Sequence, residues 1–332
     1  MTEKQCYTKV LRGEPAAFVP AVPILMGWAA QSIRSNYGAF ASDYRVLVEA
    51  NLHCLEHYAI AQASVISDPY RETSGFGGSI TYQEHAVPHC QPPLAASRDL
   101  ALLKQPDPWT SPRLLDRLRA VEELQRQVGQ SHSLLGWIEG PIAEAADLRG
   151  VTQLLMDLVE EPHFVEDLMD RCVEVGTAFA REQIALGADT IGIGDAIASQ
   201  ISPAMYRQFV LPRQQQLVEA IHAAGAWVRL HICGNTSHLL TDMAAVGADI
   251  IDTDWQVDLT KARQTFGPQT VLTANIDPVA VVAAGAPQEI AVSLQKLYAE
   301  VGPPFLAGAG CEIPMGTPEA NLAALCNALH ER

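Results

Sequence analysis

Basic residues are scarce in this chain: 22 lysines and arginines stand against 38 aspartates and glutamates, a formal net charge of −16. That argues against a nucleic-acid partner, because phosphate binding needs a basic stripe. It also disfavours an acidic membrane surface. No run reaches the about 18 consecutive apolar residues of a transmembrane helix. The opening Met-Thr-Glu-Lys-Gln-Cys lacks the apolar segment of a signal peptide. The seven cysteines are odd in number and unclustered, so no disulfide framework is expected and a reducing, cytoplasmic setting is. No Gly-x-Gly-x-x-Gly follows the first apolar run, which leaves a dinucleotide-binding fold without its fingerprint. No short internal repeat or low-complexity tract is evident.

What is present is a regular alternation. The chain has 332 residues, 48% of them hydrophobic, enough for one large α/β core. Eight apolar runs read as strands: Phe18–Met26, Ala61–Asp68, Leu134–Glu139, Ala188–Asp195, Trp227–Leu230 leading into His231 and Cys233, Ala248–Asp254, Val271–Ile276 and Phe305–Gly310. Segments of helical periodicity separate most of them, among them 43–58, 111–128, a pair spanning 154–186 and one from Ser202 to about Ala224 that Pro212 interrupts. Strictly alternating βα units imply a parallel sheet, and eight of them fit a closed (β/α)8 TIM barrel. An open doubly wound sheet is the runner-up. We expect a single domain over 1–332, with residues 69–132 after the second strand forming a lid-like insertion.

In such barrels the chemistry sits at the C-terminal ends of the strands. Here those ends carry Asp68, Glu139, Asp195, His231 with Cys233, Asp254, Asn275 with Asp277, and Cys311 with Glu312. Asp and Asn also favour loop starts for backbone reasons, so each taken singly has a structural explanation. His231 and Cys233 are two apart on one strand and therefore share a face. An imidazole and a thiolate aimed together suit Zn²⁺, and Cys311 offers a third donor. Three protein ligands and an open fourth position would mark a catalytic zinc rather than a structural one. The bland alternative is that these are inert core cysteines. His53 and His57, at i and i+4 of a helix, lack a third partner and are read as surface residues. Arg34 and Arg71 could orient an anionic substrate.

Ser202-Pro-x-x-Tyr-Arg-x-Phe-Val-Leu-Pro212, Gly247-Ala-Asp249, Asp254-Trp-x-Val-Asp258, Asn275-Ile-Asp-Pro278 and Gly316-Thr-Pro-x-x-Asn321 resemble the uroporphyrinogen decarboxylase superfamily, whose fold is a (β/α)8 barrel. The likeness is good over about 130–330 and loose before that. The segment Gly27–Arg34 holds a single arginine where the decarboxylase has an arginine-rich, carboxylate-gripping stretch. His231-x-Cys233 with a distant Cys311 is similar to the zinc-dependent methylcobamide:thiol methyltransferases of the superfamily, such as those acting on coenzyme M. The resemblance implies zinc on His231, Cys233 and Cys311, and the resting fourth position is open to Glu312 beside Cys311, to an aspartate or to water. It implies a methylcobalamin-type corrinoid as methyl donor, brought by a small corrinoid-carrying protein, and a small thiol acceptor or a tetrahydrofolate. On this reading Asp195, Asp254 and Glu312 are the catalytic or orienting carboxylates, and Asp68, Asn235 and Asn275 contact the cofactor. Two alternatives remain: a metal-free decarboxylase of the uroporphyrinogen type, and a non-catalytic corrinoid-binding scaffold.

Overall fold

The apolar runs become short strands. In the computed structural model, which describes residues 1–330, these are β1 (Gln62–Ser64), β2 (Ser79–Thr81), β3 (His89–Gln91), β4 (Ser133–Glu139), β5 (Thr190–Gly194), β6 (Trp227–Ile232), β7 (Ile250–Thr253), β8 (Val271–Thr273) and β9 (Phe305–Leu306). Seven of them pair in the order β1-β4-β5-β6-β7-β8-β9, every pair parallel. The first apolar run differs from expectation. Pro20 and Pro23 remove two N–H donors, so residues 18–26 form no full strand. Ala21 nonetheless bridges Ala307 in parallel. Val22 N–H donates to Ala307 O, Ala307 N–H to Pro20 O, and Ala61 N–H to Ala21 O, each at 2.8 Å. The proline-rich segment thus bonds to both edges of the curled sheet and completes the ring of a TIM-type barrel.

The connecting helices follow the expected rhythm with two departures. The stretch before β5 divides into Pro141–Arg149, Val151–Glu160 and Pro162–Ala185, with no break near residue 170. Gly150 adopts a left-handed φ of 91°, and Glu161 is pushed out of helical geometry by the proline after it. Before Pro212 the helix widens into a π-turn, Tyr206–Val210, which accommodates the missing N–H. Between β1 and β4 the chain forms a helix at Arg71–Phe76, the antiparallel hairpin β2–β3 and the long helix Pro112–Val128. Among the described residues no helix is long and apolar enough to cross a membrane.

Strand alternation sorts the side chains. Ile191, Ile193, Val228, Leu230 and Ile232 face outward into the helix-packed core. The barrel floor is apolar, closed by Tyr7, Val22, Ile250, Val271 and Leu306. Above it lie the buried pair Arg229–Asp252 and the buried Trp137. Trp137 occupies the room left by Gly192, where a Cβ would sit 2.1 Å from its ring. The next level up is the mouth, and that is where His231 arrives.

Candidate metal centre

His231 lies on the inward face of β6, between Gly194 of β5 and Asp252 of β7 in register. The strand ends at Ile232, and Gly234, with a left-handed φ of 85°, turns the chain immediately after Cys233. The Gly234 N–H donates to Asp254 Oδ2 at 3.0 Å, which fixes that turn. Cys311 comes from the loop after β9. That loop passes close against Trp255: a Cβ on Gly310 would sit 2.4 Å from the Trp255 backbone nitrogen.

The three donors converge. His231 Nε2 lies 2.9 Å from Cys233 Sγ and 3.9 Å from Cys311 Sγ, and the two sulfurs are 3.4 Å apart. Donors on a zinc tetrahedron, about 2.0–2.3 Å from the metal, stand about 3.5–3.8 Å apart. To match, the 2.9 Å edge would open by about 0.6 Å and the sulfur–sulfur edge by about 0.4 Å, while the 3.9 Å edge would close by about 0.4 Å. Two sulfurs and one nitrogen are also a donor set that zinc accepts. Among the described residues this is the one cluster of metal-ligating type with its donor atoms within 4.8 Å of one another.

The charges around these atoms are tightly coupled. Cys311 is pulled down to about 4 by the hydrogen bond from Cys233, reinforced by His231 against the effect of burial. Cys233 is pushed up by the same sulfur–sulfur hydrogen bond and by burial. The two sulfurs thus titrate as a pair, with Cys311 the one that ionises more readily. Burial alone would lower His231, but Cys233 and Asp252 hold it well above its ordinary value.

The residues singled out from sequence divide in their surroundings. His231, Cys233 and Cys311 meet as expected. Asp254 borders them through Gly234, and its other oxygen accepts from Gln256 N–H. Asn275 clasps the same loop, donating to the carbonyls of Asp254 and Val257 at 3.0 and 2.8 Å. Glu312 accepts from the Gly27 N–H at 2.9 Å and stays outside the donor cluster. Burial, with the charge of Cys311, raises it to about 7. Asp195 turns to the start of the helix Pro141–Arg149, accepting from Ala143 N–H at 2.8 Å and Gln214 Nε2 at 2.7 Å. Burial pushes it up to about 7. Asn235 is exposed and closes a local turn onto Ser237 N–H.

Asp68 is buried in a charged network with Arg113 at 2.5 Å. Burial pushes it up, yet Arg113 and Arg71 hold it below the ordinary carboxylate value. Arg71, fully buried, pairs with Glu139 at 2.6 Å and lies 3.6 Å from Glu72. Arg34 adopts a left-handed φ of 59° in the turn after the helix Gly27–Ser32. Sequence reasoning missed Asp252. It sits within a strand, not at its end, and only the β6–β7 register sets it opposite His231. Its signal is a charged residue inside the apolar run Ile250-Ile-Asp-Thr253, matched by Arg229 two residues before His231.

The uroporphyrinogen decarboxylase (URO-D) family profile matches residues 2–332. The methylcobamide:CoM methyltransferase MtbA of Methanosarcina mazei is 30% identical over 333 residues, covering 97% of this chain and 95% of its own length. A uroporphyrinogen decarboxylase of Chloroflexus aurantiacus is 26% identical, over 82% of this chain and 78% of its own. A solved methyltransferase from Methanosarcina mazei shares the fold with a TM-score of 0.90 at 23% identity, covering 99% of this chain and 98% of its own. On the full-length family match and the MtbA likeness, this chain belongs to the uroporphyrinogen decarboxylase family.

Proposed function

We propose that the chain is a zinc-dependent corrinoid methyltransferase. It would move a methyl group from a methylated corrinoid, carried by a small partner protein, to a thiol acceptor of the coenzyme M type. The observation that carries this reading is the convergence of His231 Nε2, Cys233 Sγ and Cys311 Sγ at the barrel mouth. Bound there, zinc would keep an acceptor thiol deprotonated, and so nucleophilic, at neutral pH. Two thiolates and a neutral imidazole balance a dication, so a further thiolate is the ligand that makes the centre electron-rich. That favours attack on a methyl group over polarisation of a carbonyl. Cys233 and Cys311 are half-buried while His231 is buried, so the sulfur side of the donor set is the more open to solvent. The relative's name, methylcobamide:CoM methyltransferase, supplies the donor and acceptor classes.

The chain's own residues would bind and orient. Asp254 holds the loop that carries Cys233, Asn275 fastens the loop of Asp254 in turn, and Glu312 holds the loop of Cys311 to the Gly27 N–H. Asp195 would act at one remove, by fixing the start of the helix Pro141–Arg149. Residues 69–132 we read as an excursion of the single barrel domain, tied by Arg113 to the strand end at Asp68. A decarboxylase would need cations free to grip substrate carboxylates, whereas Arg71 and Arg113 are already paired with Glu139 and Asp68.

The test follows loss of methylcobalamin against coenzyme M, other thiols and tetrahydrofolate, in chelated and zinc-restored protein. Thiol-dependent turnover that chelation abolishes and zinc restores is expected. Turnover indifferent to zinc, or decarboxylation of uroporphyrinogen, would overturn the reading.

A further inference from the structure

A histidine that ligates through Nε2 carries its proton on Nδ1, and a buried N–H needs an acceptor. His231 is buried, and its Nδ1 makes no well-formed hydrogen bond. Directly opposite in register lies Asp252, with Oδ2 at 3.2 Å from that nitrogen. This Oδ2 already accepts two bonds from Arg229, at 2.9 Å from Nε and 2.6 Å from the terminal nitrogen. The other oxygen, Oδ1, is buried with no partner at all. Two polar atoms without a hydrogen bond, a potential donor and an acceptor, therefore belong to side chains that face each other in register behind the donor cluster. Buried groups are rarely left so without a state of the protein in which they pair.

From this we infer that Asp252, clamped by Arg229, is the positioning residue that sets the tautomer and ring orientation of His231 for metal ligation. A small rotation of the carboxylate offers Oδ1 to Nδ1–H while Oδ2 keeps both Arg229 bonds. Arg229 is itself anchored to the closing segment through Val22 O at 3.3 Å. The clamp thus ties the metal ligand to the segment that completes the barrel. The inference rests on the metal reading of the site, and its test separates the two.

Zinc affinity is measured by competition with a chromophoric chelator, on wild type and D252N, with the folded fraction checked by circular dichroism. Loss of a partner behind a ligating histidine lowers metal affinity by about 10- to 100-fold. Folded D252N should show that loss, and a Co²⁺-substituted sample should show altered visible bands. A residue that merely braced the fold would lower thermal stability and leave the affinity of the folded protein unchanged. Equal affinity in folded D252N overturns this inference and leaves the metal centre standing. Absence of zinc binding by wild type overturns both. Should D252N not fold, proton NMR of zinc-loaded wild type decides. A slowly exchanging imidazole N–H that arises on metal loading supports the pairing, and its absence overturns it.

Discussion

Replacing Glu139 by Gln should change how stability depends on pH, and the sign follows from the buried network. Asp68, Glu72, Glu139 and Glu144 lie together against two guanidiniums, Arg71 and Arg113. Asp147 faces the same charges, and two cations cannot compensate five carboxylates in a low-dielectric interior, so some carboxyls stay protonated on folding. Glu139, its side chain 9% exposed, is pushed up to about 8 by burial, against the pull of Arg71 and with the push of Glu72. Its unfolded value is that of an ordinary glutamate. The native chain therefore binds more protons than the unfolded chain from about pH 4.5 to pH 8. Stability falls as pH rises through that window, by at most about 1.4 kcal/mol per pH unit for this one group. A partial share of that maximum gives a loss of about 2–4 kcal/mol between about pH 5 and pH 8. The amide of E139Q would keep the bonds from Arg71 and Trp137 Nε1 but bind no proton. Urea midpoints of wild type and E139Q should agree near pH 5 and separate toward pH 8, with E139Q the more stable. Parallel curves, or a wild type that gains on E139Q as pH rises, would refute the argument and make Glu139 an ionised partner of Arg71.

Gly192→Ala should lose about 1–3 kcal/mol by overpacking, since its Cβ would sit 2.1 Å from the Trp137 ring. Combining it with W137F should be less than additive in thermal unfolding, because the two side chains share one space. In metal-stripped protein, Cys233 and Cys311 are only half-buried with sulfurs 3.4 Å apart, while the other five cysteines are buried. Mild peroxide should therefore join this pair, two thiol hydrogens leaving as peroxide is reduced to water. Peptide mapping should find a 233–311 cross-link that bound zinc suppresses.

The fold was legible because the barrel repeats one simple signal. Runs such as Ala188–Asp195 and the one that starts at Trp227 carry an apolar outward face, Ile191 and Ile193 in one and Val228, Leu230 and Ile232 in the other, and are bounded by helical periodicity. The first run was readable only in part, since Pro20 and Pro23 let it bond to its neighbours without forming a strand. The convergence of His231 and Cys233 was legible because residues two apart in extended chain face the same way. The polar residues at other strand ends were harder to assign. Asp195, Asn235 and Asn275 occupy equivalent positions, yet their side chains fasten a helix start, a turn and a loop. Asp252 was invisible for the opposite reason. Its contact with His231 depends on inter-strand register, which alternation within a single strand does not reveal.

Zinc K-edge X-ray absorption, on the protein alone and with coenzyme M, tests the central claim most directly. Two sulfurs at about 2.3 Å and one nitrogen at about 2.0 Å are expected from the protein, with a third sulfur on adding the thiol. A shell of oxygen and nitrogen alone, or a sulfur count that the thiol leaves unchanged, would contradict it.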